Sequence, residues 1–257
     1  MGKGLKMKNE TNINTNIKRL LKQFTLPDIY DRYDEEVNYA IENKIGYREF
    51  LYKLLALEEQ GKMERLKMRN IKNACFDAYK TIEDFDFNFP KHINQTKVID
   101  LATLSFMEKK ENVVFIGPPG LGKSHLSIVI GIKACEKGKS VRFVNAIELV
   151  DELYNAIDSG NLKQKFKKLS KIDLLIIDDI GYLKMDKEKE SLFFQLIRQR
   201  YEKSSLIVTT NLPFERWDEI FTSELAATAV LDRLLHHSHV ISITGDSHRV
   251  NRYLQEE

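Results

Sequence analysis

The chain holds only two cysteines in 257 residues, Cys75 and Cys135. They form no CxxC pair and no zinc-type spacing, which excludes a disulfide framework of the small secreted kind. Proline is scarce, and none falls between Pro27 and Pro90, so a long segment is free of helix breakers. No run approaches the roughly eighteen apolar residues that a membrane helix requires. The N-terminal stretch MGKGLKMKNETNINTNIKRL is basic and Asn-rich with no apolar centre, so no secretory signal is read there. Lys6 stands where a myristoylation signal wants Ser or Thr. A cytoplasmic chain with no membrane partner is expected. An excess of one charge is lacking too: 40 Lys plus Arg against 38 Asp plus Glu leave +2. That balance alone offers no electrostatic footprint for a nucleic acid. What is present is a 42% hydrophobic and 30% charged composition, enough for a core beneath a solvated surface. Collagen-like and wholly disordered chains are excluded.

The periodicity divides the chain. Residues 1 to about 18 read as a leader without regular structure, and Ile17 to Tyr79 as helical. Phe50, Leu51, Leu54, Leu55 and Leu57 fall at helix-like spacing. Thr81-Ile-Glu-Asp-Phe-Asp-Phe-Asn-Phe-Pro90 breaks that pattern and reads as a connector with docked aromatics. Beyond it, short apolar or β-branched runs alternate with helix-length intervals: Val113–Ile116, Val141–Val144, Leu174–Ile177, Leu206–Thr209 and Val240–Ile243. This alternation predicts an α/β fold with a five-stranded parallel sheet flanked by crossover helices. The expected organisation is a small all-α domain over 1–80, a connector over 81–96 and the α/β domain over 97–257.

Gly117-Pro-Pro-Gly-Leu-Gly-Lys-Ser124 fits G-x-x-x-x-G-K-[ST] between a predicted strand and a predicted helix. Gly117, Pro118, Pro119, Gly120, Leu121 and Gly122 would form the loop, its backbone N–H groups cradling phosphates at the helix N-terminus. Lys123 is the cation for the β- and γ-phosphates, and the Ser124 hydroxyl is a Mg²⁺ ligand. Leu174-Leu-Ile-Ile-Asp-Asp179 reads as a buried strand that delivers two carboxylates at its C-terminal edge, where open α/β sheets bind ligands. Asp178 would hold the Mg²⁺ water shell, and Asp179 would polarise an attacking water. Asn211 follows a further buried strand, Ser205-Leu-Ile-Val-Thr-Thr210, and could orient that water or simply cap the Pro213 turn.

These motifs, together with Leu231-Asp-Arg-Leu-Leu-His-His-Ser238 and Gly245-Asp-Ser-His-Arg249, give a pattern that resembles the AAA+ ATPases of the DnaA/DnaC-like clade. Within them it is similar to the IstB-type helper ATPases of insertion sequences. Asp84-Phe-Asp-Phe87, Ile180-Gly-Tyr-Leu183, Phe194-Gln-Leu-Ile197 and Asn211-Leu-Pro-Phe214 extend the likeness over roughly residues 25–250. The resemblance implies an ATPase with ATP and Mg²⁺ as cofactors, acting on duplex DNA with a cognate transposase as a homo-oligomer with shared ATP sites. It implies sensor 1 at Asn211, an arginine finger at Arg233 serving a neighbouring subunit, and a sensor 2 arginine at Arg249. A guanidinium suits both arginine roles because it stays charged and meets phosphate oxygens bidentately. Two departures stand out. Asp179 occupies a position where many AAA+ proteins carry Glu, and the full C-terminal helical lid is expected to be absent.

Lys163, Lys165, Lys167, Lys168 and Lys171 lie within nine positions with no acid among them. Lys163, Lys167 and Lys171 would stack on one helix face and repel. With the resemblance, duplex-DNA contact is the expected use of this cluster, through the phosphate backbone and without base readout. Lys62–Lys72 and the basic leader are second candidates. His236, His237 and His239 invite a metal reading, but no Cys or carboxylate is expected to complete a ligand set. Charge at a helix end or a subunit contact is the expectation. The alternative function is a helicase loader of the DnaC/DnaI type, with the same ATPase core. A metabolic P-loop kinase is disfavoured because nothing resembles an acceptor-binding lid.

Overall fold

The computed structural model describes residues 2–245, with side chains from residue 12 onward. The described residues divide into two compact units between Leu66 and Lys67, where the expected division lay at 80/81.

The first unit is helical. Helix α1 spans Gly2–Gln23, α2 spans Pro27–Glu42, and α3, Tyr47–Ala74, runs through the unit boundary. The leader, expected to lack regular structure, is helix here; with no proline to interrupt it, the segment continues into the amphipathic stretch beyond Ile17. Helix α2 starts on Pro27, whose missing N–H costs nothing in a first turn, and Leu26 supplies no side-chain cap. Glu58 of α3 does that task from a distance, its Oε2 accepting the N–H of Asp28 at 2.9 Å and of Ile29 at 3.2 Å. Arg65 pairs with Glu58 at 3.0 Å and also with Asp28, so the buried carboxylate is satisfied on both oxygens.

The second unit opens with α4 (Gln95–Leu101) and α5 (Ser105–Glu108). It then alternates: β1 (Asn112–Ile116), α6 (Lys123–Glu136), β2 (Val141–Asn145), α7 (Ala146–Asp158), α8 (Leu162–Leu169), β3 (Leu174–Asp178), α9 (Lys187–Arg200), β4 (Ser205–Thr210), α10 (Glu224–Leu235) and β5 (Ser238–Ser242). The five strands form one parallel sheet in the order β2-β3-β4-β1-β5. Strands β1, β3 and β4 are buried along nearly their whole length because both faces are covered, whereas the edge strand β5, Ser238-His-Val-Ile-Ser242, buries only Ile241. Val114, Val144, Leu175, Ile177 and Val208 point to the face packed by α7 to α10. Val113, Phe115, Phe143, Ile176 and Ile207 point to the face packed by α4 to α6. This is the α/β architecture expected from the sequence, with β5 drawn two residues earlier than Val240–Ile243.

One buried charge fixes the edge of this unit. Arg200, 1% exposed, donates to the carbonyls of Leu169 at 2.7 Å, Ile172 at 3.0 Å and Ser205 at 2.8 Å. It thereby ties the end of α8 to the start of β4, and burial pushes its guanidinium pKa down to about 10. Among the described residues no helix is long and apolar enough to cross a membrane.

Candidate nucleotide site

The loop from β1 to α6 is shaped by glycines that no other residue replaces. Gly117, Gly120 and Gly122 have φ of 152°, 79° and 83°. A Cβ on Gly117 would sit 2.0 Å from the Ile243 carbonyl oxygen, and one on Gly122 would sit 2.4 Å from the Phe85 ring. No side chain caps the N-terminus of the fourteen-residue helix α6, so its first-turn N–H groups are left for an anion. Lys123, 5% exposed, folds over the loop, and its Nζ donates to the carbonyls of Gly117 and Pro118 at 2.8 Å each.

A cavity of about 730 Å³ opens over this loop, within the usual range for small-molecule sites. Residues 119–125 line one side, and Asp179 and Tyr182 another. Lys80, and Asp84 and Phe85 of the connector, close it. His125 holds the connector in place through Nε2, 3.1 Å from the Thr81 carbonyl oxygen, and its ring meets Phe85 edge-on at 5.4 Å. The connector is thus a wall of the cavity, a role that its aromatics alone did not reveal.

Asp178 ends β3 with its side chain buried, 6% exposed. Burial pushes its carboxyl up, while hydrogen bonds from the Thr209 and Ser124 hydroxyls pull it back. The two proposed Mg²⁺ ligands, Ser124 and Asp178, therefore stand side by side. Their oxygens form a donor set suited to a hard divalent cation. Asp179 adopts left-handed backbone, φ 56°, and turns toward the cavity. Thr209 is the residue that sequence reading missed. Its Oγ1 donates to Asp178 at 2.6 Å and accepts the Asp179 N–H at 2.9 Å. A threonine inside a β-rich run carries no local signal of that pairing.

Asn211 follows β4 in a turn closed by Thr210, whose Oγ1 accepts the Leu212 N–H at 3.0 Å. Its Oδ1 is buried against Gly181 and has no hydrogen-bond partner among the described residues. Asn211 and Arg233 are not among the residues that line the cavity. The Arg233 guanidinium lies 4.8 Å from the Phe194 ring centroid and donates to the Ala229 carbonyl at 2.7 Å. No carboxylate pairs with it among the described residues. Arg249 lies outside the described residues, as does the region of the expected missing lid.

The architecture and loop chemistry agree with the comparisons. Residues 19–256 match the family described as IstB-like ATP binding protein. The chain belongs to that family. It is 40% identical over 237 residues to the IS232 insertion-sequence ATP-binding protein of Bacillus thuringiensis subsp. berliner, covering 92% of this chain and 95% of the relative. It is 41% identical to the IS5376 counterpart of Geobacillus stearothermophilus, covering 90% and 93%. Among solved structures, that of DnaI is similar with a TM-score of 0.55 at 21% identity, covering 64% of this chain and 91% of that one. AMPPCP-bound DnaA from Aquifex aeolicus also has a TM-score of 0.55, at 19% identity, covering 71% and 56%. These two show the shared AAA+ fold. An IstB-like protein with this loop is an ATP-binding P-loop protein, and its site has the composition of an ATPase.

The lysine cluster differs in detail from its expected form. Lys163, Lys167 and Lys168 are exposed on α8, but Lys165 pairs with Glu152, which also holds Arg142. Burial works to raise the Glu152 pKa, yet the two cations outweigh it and the net shift is downward. Lys171 lies beyond the C-cap Ser170, so the expected i, i+4, i+8 stripe stops after Lys167. The histidines also separate. His239 Nε2 is 2.7 Å from Glu111, whereas His236 and His237 are joined by Glu202, the carboxylate that sequence proximity could not supply.

Proposed function

We propose that this chain is a helper ATPase of insertion-sequence transposition that assembles on duplex DNA in an ATP-dependent way and recruits or stimulates a transposase. The observation that carries the reading is Arg233. It is a half-buried guanidinium with no carboxylate partner among the described residues, away from the cavity lining, on a chain whose loop and carboxylates already form a site. An arginine so disposed suits the γ-phosphate of a neighbouring subunit's ATP.

In this reading Lys123 leaves the loop carbonyls for the β- and γ-phosphates, and α6 offers its N–H groups to the same oxygens. Ser124 and Asp178 hold Mg²⁺, which when bound neutralises charge on the phosphate oxygens. Asp179 and Asn211 orient the attacking water, and Arg249 reaches the γ-phosphate of its own subunit. The short Asp179 side chain is consistent with slow hydrolysis stimulated by DNA or by assembly. Lys163, Lys167, Lys168 and Lys171 meet the phosphate backbone. The names of the relatives, which belong to insertion sequences, favour a transposase over a helicase as the partner. Such a protein works in the cytoplasm.

Duplex-DNA binding measured with ATP, ADP and no nucleotide tests the proposal, with Lys123→Ala and Arg233→Ala alongside. Binding is expected only with ATP and only in the parent. Binding that ignores ATP, or none at all, overturns ATP-dependent assembly. Unchanged ATPase rate and oligomer size in Arg233→Ala overturn the shared site.

A further inference from the structure

At the end of α10, away from the cavity, three ligand-type side chains converge. His236 and His237 follow the helix, and Glu202 comes from the turn between α9 and β4. One ligand atom from each lies within 4.8 Å of the others. We infer that His236, His237 and Glu202 form a binding site for a borderline transition-metal ion, with Zn²⁺ the ion their chemistry fits best.

Two imidazoles and a carboxylate form a set that Zn²⁺ accepts, whereas Mg²⁺ and Ca²⁺ prefer oxygen ligands throughout. The spacing is close to what the ion needs. Ligand atoms on a tetrahedral Zn²⁺ stand about 3.4 Å apart, given bonds of about 2.0–2.1 Å. His237 Nε2 and Glu202 Oε1 are already 3.7 Å apart. Both side chains are about half exposed, and the His237 ring lies against that of His236 with centroids 4.1 Å apart, so the remaining closure is a small side-chain rotation at the surface.

The surroundings hold these groups in a favourable state. Tyr201 Oη lies 2.6 Å from His236 Nδ1. With Nδ1–H donating to that oxygen, Nε2 is bare and oriented, the outer-shell arrangement common to metal-bound histidines. The carbonyl end of α10 adds partial negative charge beside the ion. Glu202 is set in a tight turn, φ 58°, in which Lys203 and Ser204 both donate to the Arg200 carbonyl, at 2.9 and 3.1 Å. Buried Arg200 anchors that turn, so the carboxylate is presented on rigid backbone. Three protein ligands leave one tetrahedral position open for water.

The test is a zinc titration of the untagged full chain by isothermal calorimetry. Excess Mg²⁺ occupies the nucleotide site, and a Cys75→Ser background removes the exposed thiol. One Zn²⁺ per chain is expected. Glu202→Gln and the double change His236→Asn, His237→Asn should each weaken binding at least tenfold, and Tyr201→Phe should weaken it by about tenfold through the outer shell. Co²⁺ substituted at the same site should give the visible absorption of a four-coordinate ion, lost in the same variants. Thermal unfolding and basal ATP hydrolysis, unchanged in Glu202→Gln, establish that the variants fold. Absence of stoichiometric binding in the parent, or binding that survives these changes, overturns the site.

Discussion

One hydroxyl on β4 links the Asp178 carboxylate to the Asp179 backbone at the end of β3: Thr209 Oγ1 donates to Asp178 Oδ1 at 2.6 Å and accepts the Asp179 N–H at 2.9 Å. A threonine hydroxyl has one proton to give and lone pairs to receive, so a single side chain serves both neighbours. Adjacent strands β3 and β4 are thereby locked where the candidate site lies.

Thr209→Val keeps the shape and removes both bonds. A hydrogen bond to a charged group is worth about 1.5–3 kcal/mol, so roughly a tenfold or greater loss of ATPase rate at limiting Mg²⁺ is expected. Thr209→Ser should keep most of the activity. Equal rates for Val and Ser across a Mg²⁺ titration would show that the hydroxyl has no part in holding Asp178.

Asp178 gives a prediction with a definite sign. Burial holds its carboxyl above the ordinary value of 3.8, so folding favours the protonated form. That stabilising contribution is full below the ordinary value and is lost as pH rises through the raised one. At neutral pH the Mg²⁺-free protein therefore carries a buried anion at a cost. Asp178→Asn removes the charge and keeps an acceptor for Thr209. The variant should unfold a few degrees higher than the parent at neutral pH without Mg²⁺, and the gap should close on acidification. Hydrolysis should be lost. Melting curves across pH check this, and a variant less stable than the parent at neutral pH would contradict it.

What was legible in the sequence was local. The phosphate loop announced itself because each of its constraints, a positive φ or a helix start, acts on the residue that carries it. The buried strands were read to within a residue or two because both their faces are apolar. β5 was misplaced for a physical reason. Val240 is exposed, while Ile243, just past the strand, is buried and donates its N–H to the Ile116 carbonyl, so apolar content pointed too far along the chain. The illegible parts are pairings across long separations. Thr209 meets Asp178 from 31 positions away, and His125 reaches Thr81 from 44. Glu202 reaches His237 across a strand and a helix, and Lys165 is drawn to Glu152 on α7. None of these leaves a mark on its own segment.

Gly122 is constrained twice, by φ 83° and by the Phe85 ring 2.4 Å from where a Cβ would stand. Gly122→Ala should cut affinity for a fluorescent ATP analogue at least tenfold. Left-handed backbone costs an L-residue about 1–2 kcal/mol whatever the space. Adding Phe85→Ala relieves the clash and leaves the backbone cost, so the double variant should recover only part of the loss. Full recovery would make the ring the whole constraint.

The lysines of α8 separate by what already holds them. Lys167 and Lys168 are exposed, whereas Lys165 is half-buried and committed to Glu152, whose pKa it helps to lower. If the helix meets duplex DNA, each lysine on a phosphate contributes about 0.9 to the slope of log affinity against log salt. Lys167→Ala with Lys168→Ala should flatten that slope by about two and weaken binding similarly on unrelated sequences. Lys165→Ala should leave the slope nearly unchanged, because its charge is neutralised within the protein. A slope that responds equally to Lys165 and to the exposed pair would mean that the Glu152 contact opens on DNA, and Glu152→Gln should then strengthen binding.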